Sequence, residues 1–571
     1  MLKERLLQRS LYQQMRRAGV VKTMAMIMAR RATDYEQCQR LLWLSLKSLT
    51  HPFLLAEMPR AVLRVVQALH QEEVIAIQTD YDCDGQTAHA VLYKALVEIF
   101  QHDSAKTLSF IGQRQTAGYG FNLQLAEQII AQKATLVITA DNGSSDIPSL
   151  KILAEHGIDV IVTDHHTVSA KPPYLYAFLN PAFENSQFAD PAIAGCMVAW
   201  LFMAATYMYL KAKTPRRLGY SITRLLDYVA VGTLADCVSL LSHNNRIVVR
   251  YGMNLMNHTH KPIWQTLKQH LNKSSFTRET IQFYVAPLLN ASSRVGDAYT
   301  GLAFLLANSA PAAVQHLEAL NTYNLSRRAL QKQALIEAQM QLEVSGPIAG
   351  LIFCVLEHSH AGINGVIASK LTSQTGQTTV ILSVDAQHMA TGSLRSTRAM
   401  SLVKVLQEVA RQVPQLLSSF GGHHHAAGVS LKQENIPQFQ IILTEIVQAQ
   451  NAELHYTWHD GRLPDEPLED LMQHIERLEP FGVDFPLPVF VNHGMILESH
   501  RFGTARQYLS LRVKIQSHIL KGVFFQATEH AWTLTLKKDD YIQMVYALSR
   551  DQYNHEPIGI IQEIKLVPQH A

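Results

Sequence analysis

From residue 74 the chain alternates short apolar runs with longer amphipathic stretches, and this alternation restricts it to a parallel α/β architecture. The short runs fall at 74–79, 107–112, 135–140, 158–163 and 174–179. Between them, at 88–100, 123–132 and 147–156, apolar residues recur at helical spacing. Strands buried on both faces of a parallel sheet read as continuous apolar runs, while crossover helices carry one apolar stripe. Helical patterns continue over 194–210 and 222–240, and the domain extends to about residue 310.

The segment 312–344 contains neither Pro nor Gly and carries Arg327 and Arg328. Pro311 stands where a helix starts, so a long connecting helix is expected. A smaller α/β unit follows, with strands at 351–356 and 379–383, helices at 366–373 and 402–413, and a Gly-rich turn at 421–428. Beyond the Pro-punctuated 478–488, strand-like runs at 489–497, 508–515, 519–526, 532–536, 542–548 and 558–567 have hardly a helix between them. Such a series suits a small OB-like barrel. The expected division is a helical extension at 1–50, a parallel-sheet catalytic domain at 51–310, a connecting helix at 311–344, a smaller α/β domain at 345–450 and an OB-like domain at 451–571.

Several domains are required, because 571 residues exceed what one hydrophobic core supports, about 250–300. With 47% hydrophobic and 17% charged residues the chain is ordinary globular protein, not a disordered one. A net charge of +3 rules out a globally basic surface, so any contact with a polyanion must be a local patch. The five cysteines are scattered and form no CxxC pair, which argues against a disulfide framework or a cysteine zinc site and fits a reducing cytoplasm. The first residues lack the apolar core of a secretory signal, and the apolar stretch at 197–210 is too short to span a bilayer. A soluble cytoplasmic protein is expected.

The acidic residues fall where a parallel sheet binds ligands. Run 74–79 leads into Asp80-Tyr81-Asp82-Cys83-Asp84-Gly85, run 135–140 into Asp141-Asn142-Gly143, and run 158–163 into Asp164-His165-His166. Asp236, within Gly232-Thr233-Leu234-Ala235-Asp236, closes a helical stretch that could reach the same rim. Ligands of open α/β sheets bind outside the carboxyl ends of the strands. A single strand-end Asp is ordinarily a turn or cap residue. So many carboxylates together repel one another unless a cation neutralises them. Oxygen ligands with a few imidazoles suit Mn²⁺ or Mg²⁺, and a pair of such ions activates water and clamps a phosphoryl oxygen.

The series DYDCDG, TADNG, DHH and GTLADCVSL resembles the four motifs of the DHH phosphoesterase superfamily, in particular its RecJ-type single-strand exonucleases. Further matches are Gly118-Tyr119-Gly120 after Arg114, the segments 289–298 and 321–331, Gly365 to Lys370, Gly392 to Ser396, Gly421-Gly422-His423 with Ala426-Ala427-Gly428, and Leu478 to Gly482. The resemblance runs from about residue 70 to about 515. It implies that Asp82, Asp84, Asp141, His165 and Asp236 hold two divalent ions, Mn²⁺ or Mg²⁺. Asp80 and His166 would take part in catalysis, His166 by stabilising the scissile phosphate or protonating the leaving oxygen. The smaller domain resembles DHHA1, where Ser393 and Arg395 would hold a terminal phosphate through hydroxyl and guanidinium. Gly421 and Gly422 would let backbone amides approach the strand, with His423 pointing at it. Arg114 and Arg294 are candidate phosphate contacts, with a surface or interdomain ion pair as the alternative.

The implied activity is single-strand-specific 5′→3′ DNA hydrolysis to 5′ mononucleotides, in repair and recombination, by a monomer working with a helicase and a single-strand-binding protein. Cys83, Leu288, Leu394, Ser239 and the turn at 483–486 depart from the family pattern, and Leu288 and Leu394 bear on how DNA is gripped. Rival readings are a DHH enzyme acting on short oligonucleotides or cyclic dinucleotides, an aspartyl phosphatase using Asp82, and a non-catalytic single-strand-binding scaffold. The retained motif acids disfavour the last.

Overall fold

Strand Ile75–Thr79, buried along its whole length, is the second of five parallel strands. The order across the sheet is Thr107–Ile111, Ile75–Thr79, Leu136–Ala140, Asp159–Thr163, Ala177–Leu179. After Ile75–Thr79 the chain adds one strand on one side and then crosses to the other. The carboxyl ends of Ile75–Thr79 and Leu136–Ala140 therefore flank the point where ligands of such sheets bind. The computed structural model describes residues 2–112, 120–168, 170–183, 186–213, 218–346, 350–357, 359–396, 400–422, 424–449, 457–527, 531–551 and 554–568. These fall into two compact units, one of His51–Asp236 with Gly252–His455, the other of Met1–Thr50, Cys237–Tyr251 and Tyr456–Ala571.

In the first unit, helices Leu123–Ala131 and Ile147–Glu155 pack on the sheet through Leu125, Ile129, Leu150 and Leu153. The helix expected at 88–100 starts earlier, at Cys83, because Asp82 caps it, and it widens into a π-turn at Ala95–Ile99. The helical stretch expected at 222–240 is a 3₁₀ turn, Ile222–Leu225, followed by helix Leu226–Ala235 with Asp236 at its C-cap.

Helix Ala310–Ser345 leads to a second sheet of order Ser419–Gly422, Ala426–Lys432, Met389–Arg395, Thr378–Val384, Leu351–Leu356. One face packs on Ala334 and Ala338 of the long helix and on Ile367, Ala368 and Leu371 of helix Asn364–Thr375. The other packs on helices Leu402–Gln412 and Ile436–Ala449. Strand Met389–Arg395 is unheralded in sequence, and the expected Gly-rich turn at 421–428 is a hairpin with Gly421 paired to Gly428. Small residues blur the period-2 signal while still filling a ladder.

The second unit contains a closed barrel of strands Val489–Phe502, Tyr508–Ile515, His518–Phe524, Pro557–Leu566 and Tyr541–Arg550, antiparallel except for the pairing of His518–Phe524 with Pro557–Leu566. The run expected as a strand at 532–536 is a 3₁₀ turn, Ala531–Thr535, in which Thr535 and Thr533 bond locally to the carbonyls of Trp532 and Ala527. Fully buried Arg246 donates to the carbonyls of Leu41, Leu478 and Pro480, joining the helical N-terminus to the segment that precedes the barrel.

Candidate metal centre and nucleic-acid site

Asp82 leaves the first strand and accepts the amides of Asp84 (2.9 Å) and Gly85 (3.1 Å) with one oxygen. It is thus both a helix cap and a candidate ligand, since the cap uses only Oδ1. Asp84, 1% exposed, accepts the amides of Gly195 (2.7 Å) and Cys196 (3.0 Å), the first residues of helix Gly195–Lys213. Asp141 follows its strand with a left-handed φ of 61°, a conformation that a non-glycine residue holds at a cost.

His165 comes from the next strand, and its Nε2 lies 3.2 Å from Asp141 and 3.7 Å from Asp236. Ligand atoms of Asp84, His165 and Asp236 lie within 4.8 Å of one another, as do those of Asp80, Asp82 and Asp141. The two groups meet through the Asp141–His165 contact. The structure therefore brings together all five expected ligands and Asp80.

Three glycines make room for the cluster. A Cβ on Gly85 would stand 2.3 Å from the Asp80 carbonyl, one on Gly195 2.8 Å from Asp141 Oδ1, and one on Gly232 2.6 Å from Asp84 Oδ1. Gly195 and Cys196 went unnoticed in sequence because a glycine opening an apolar helix carries no chemical signal.

Burial, and then the neighbouring Asp82, push the Asp84 carboxyl up to about 6. Burial, Asp84 and Asp82 hold Asp141 and Asp236 well above the usual carboxylate range. Among the described residues no lysine or arginine forms an ion pair with Asp82, Asp84, Asp141 or Asp236. Carboxylates buried together with no lysine or arginine paired to them among the described residues, in an oxygen-rich set with one imidazole ligand, fit Mn²⁺ or Mg²⁺.

His166 sits beside this cluster. Its Nδ1 lies 2.7 Å from Asp164, which also accepts the His165 and His166 amides. Burial would lower the His166 pKa, but Asp164 outweighs it and raises the imidazole to about 9. Asp164 is a residue whose role sequence reading missed, although it opens the DHH motif: it fixes the ring and leaves Nε2 as the other proton-carrying atom. Asp146, also missed, accepts the Gly143 amide at 3.0 Å and holds the turn after Asp141.

On the second sheet Ser393, Gly428 and Gly421 pair across three neighbouring strands. Arg395 donates from Nε to Ser369 Oγ (3.1 Å) and from Nη1 to the Leu394 carbonyl (2.8 Å). Gly365 lies so close that a Cβ there would be 2.8 Å from Arg395 Nη2 and 3.3 Å from Ser393 Oγ. Ser393, Arg395, Gly421 and Gly422 thus share one end of this sheet. Leu394 points into the core with Val380 and Val429, away from Ser393, and Leu288 is buried, so neither departure intrudes on this face. Arg294 donates to the Gly362 carbonyl at 2.8 Å. Arg114, Gly118, Tyr119 and His423 lie outside the described residues.

Family models match the DHH family N-terminal domain at 74–233, the DHHA1 domain at 349–449 and the RecJ OB domain at 459–558. The single-stranded-DNA-specific exonuclease RecJ of Haemophilus influenzae is 30% identical over 491 residues, covering 82% of this chain and 83% of the relative. The fold matches RecJ of Thermus thermophilus in complex with Mn²⁺ at a TM-score of 0.80 and 23% identity, over 99% of this chain and 79% of that one. An exonuclease RecJ bound to manganese matches at 0.57 and 26% identity, over 70% of this chain and 97% of that one. Three domain matches in order, and a relative aligned over most of both chains, establish that the chain belongs to the RecJ family.

Proposed function

We propose that the chain is a single-strand-specific DNA exonuclease, dependent on Mn²⁺ or Mg²⁺, that works from the 5′ end and releases 5′ mononucleotides. The observation that carries this reading is the joining of two carboxylate groups through the 3.2 Å Asp141–His165 contact at the carboxyl rim of the sheet. Asp84, His165 and Asp236 would hold one divalent ion, and Asp82 and Asp141, with Asp80 beside them, a second. When bound, the ions would supply the charge that makes water nucleophilic near neutral pH and that stabilises the attacked phosphate.

The protein's own groups do the rest. His166, aligned by Asp164 and protonated at neutral pH, is suited to donate a proton from Nε2 to the leaving oxygen. Arg395 and Ser393 would hold the terminal phosphate, with the Gly421 and Gly422 amides along the strand. Arg294, bonded to Gly362, ties helix Ala286–Val295 to the turn before helix Asn364–Thr375 and so supports the path between the two sheets. On the barrel, Phe502, Tyr508 and Phe525 form an aromatic cluster on which bases can stack.

The proposal extends to a monomer acting in repair and recombination in the cytoplasm, beside a helicase and a single-strand-binding protein. Five cysteines that form no disulfide support a reducing compartment. No helix among the described residues is long and apolar enough to cross a membrane. The test is a time course on 5′- and 3′-labelled single- and double-stranded oligonucleotides with each ion, using wild type and Asp141→Ala. Early release of the 5′ label from single strands only, lost in the variant, is expected. Undiminished hydrolysis by the variant would overturn the ligand assignment, and early release of the 3′ label the polarity.

A further inference from the structure

Two helices that place the acid cluster have their other ends at a cavity that the reaction does not use. Helix Cys83–Lys94 carries Asp84 in its first turn and Lys94 at its last residue, about 15 Å away along the axis. Helix Leu226–Ala235, packed against it, runs from Asp227 and Tyr228 to its C-cap Asp236. The cavity has a volume of about 150 Å³ and is lined by Lys94, Glu98, Tyr220, Arg224 and Lys261 together with the start of helix Pro262–Leu271.

The charges here do not balance. Lys94, its side chain 5% exposed, donates to Glu98 (2.7 Å) and Asn308 (3.0 Å). Lys261 donates to both oxygens of the fully buried Asp227 (2.9 and 2.7 Å) and to the Arg224 carbonyl (2.7 Å), so its three N–H groups are used, and Asp227 also accepts Trp264 Nε1 at 2.7 Å. Each carboxylate thus already has its ammonium, and Glu98 accepts the Tyr220 hydroxyl as well. Arg224, the third cation, forms no ion pair among the described residues and lies over the Tyr220 ring at 5.2 Å.

Helix Pro262–Leu271 adds to the excess, since its N-cap is Lys261 and no side chain caps it. The first amides of a helix have no partner within the helix and carry the positive end of its dipole. Burial pulls the Lys261 ammonium below its ordinary range even with Asp227 against it.

We infer that this cavity binds a small tetrahedral oxyanion, phosphate or sulfate, through Arg224, Lys94 and the amides of Ile263 and Trp264 in the first turn of helix Pro262–Leu271, with Lys261 contributing its charge. The volume is below the roughly 300–1,000 Å³ of sites for drug-sized ligands. Donors arriving from separate elements suit a tetrahedral ion better than a planar carboxylate. The bound ion neutralises the excess charge and braces the two helices whose far ends set Asp84 and Asp236. A ligand that binds only the folded chain raises its stability by mass action.

The test is equilibrium dialysis of the full chain in Mg²⁺ buffer with labelled phosphate and, separately, labelled sulfate, over a chloride background of constant ionic strength. Saturable binding is expected, weakened on the order of tenfold or more by Arg224→Ala, whose side chain is on the surface. Lys261→Met weakens it likewise, and Arg395→Ala leaves it in place. Thermal melts should show a phosphate-dependent rise in Tm that Arg224→Ala loses. A preference of phosphate over sulfate, or the reverse, identifies the ion. Absence of saturable binding of either, or binding that survives Arg224→Ala intact, overturns the proposal; loss only in Arg395→Ala would place the ion on the DHHA1 sheet.

Discussion

The Asp84 carboxylate accepts the Gly195 amide at 2.7 Å, and the same glycine leaves no room for a side chain against Asp141, whose Cβ a new methyl would meet at 2.7 Å. One residue therefore holds one acid by its backbone and makes space for another by lacking a Cβ. Gly195→Ala should fold, with Mn²⁺ affinity lowered roughly 10–100-fold, as when groups supporting metal ligands are altered. Titration with Mn²⁺ followed calorimetrically, with circular dichroism as the fold control, measures this. Wild-type affinity in a folded variant would show that the close approach is relieved elsewhere.

The Asp164–His166 pair leads to a separate expectation. Asp164→Asn removes the charge that raises the imidazole to about 9 while keeping an oxygen to accept the amides. The proton on His166 is then lost at lower pH, and the alkaline limb of kcat should move down accordingly. At pH 8 kcat should fall by about 10²-fold or more, within the range for general acid catalysis, with KM nearly unchanged. A pH profile of kcat decides it, since a merely structural role would scale the curve without moving its limb.

The acids were legible in sequence because charge at the end of an apolar run is a local signal. Asp82, Asp84, Asp141, His165 and Asp236 could be picked out without knowing a single distance. What supports them is nonlocal. Gly195 acts on Asp84, more than a hundred positions away, and on Asp141, while its neighbours in sequence spell only an apolar helix. The strand Met389–Arg395 was hidden because Gly392 and Ser393 read as a loop until Val380 and Val429 are placed on either side of it. Leu394 looked like damage to the phosphate grip, and only the strand's alternation shows that it points into the core.

Arg64 offers a test of stability away from the chemistry. It is 6% exposed and bonds Glu73 through two nitrogens (3.1 and 2.8 Å) and Asp159 through Nε (2.6 Å). Burial raises the Glu73 carboxyl, but hydrogen bonds from Arg64 and Thr135 outweigh it, and the folded-state pKa lies below the usual 4.5. A depressed carboxylate contributes stability that is present above the unfolded-state value and lost as pH falls through the folded one. The contribution should therefore be full at pH 7 and fade below about pH 4.5. Arg64→Ala leaves two carboxylates without their cation and should cost on the order of 3 kcal/mol at pH 7. Urea unfolding at pH 7 and pH 4 measures both, and the gap between variant and wild type should narrow at the lower pH.

Gly421 and Gly422 are adjacent, yet they answer to different constraints. Gly422 has φ 133°, and a Cβ there would lie 2.4 Å from the Ala426 carbonyl. Gly421 has ordinary backbone, pairs with Gly428, and has nothing within 4 Å of where its Cβ would stand. Gly422→Ala should therefore lower Tm, because both its conformation and its space are denied to a side chain. Gly421→Val should leave Tm within a degree or two, roughly the effect of a surface change. If the DNA backbone runs over this hairpin, that valine occupies the strand's space, and KM for single-stranded DNA should rise about tenfold while hydrolysis of a dinucleotide held mainly at the acid cluster changes less. Melting curves and kinetics on the two substrates separate the effects. An unchanged KM with Gly421→Val would move the DNA path off this edge of the sheet and leave Gly422 as a purely conformational glycine.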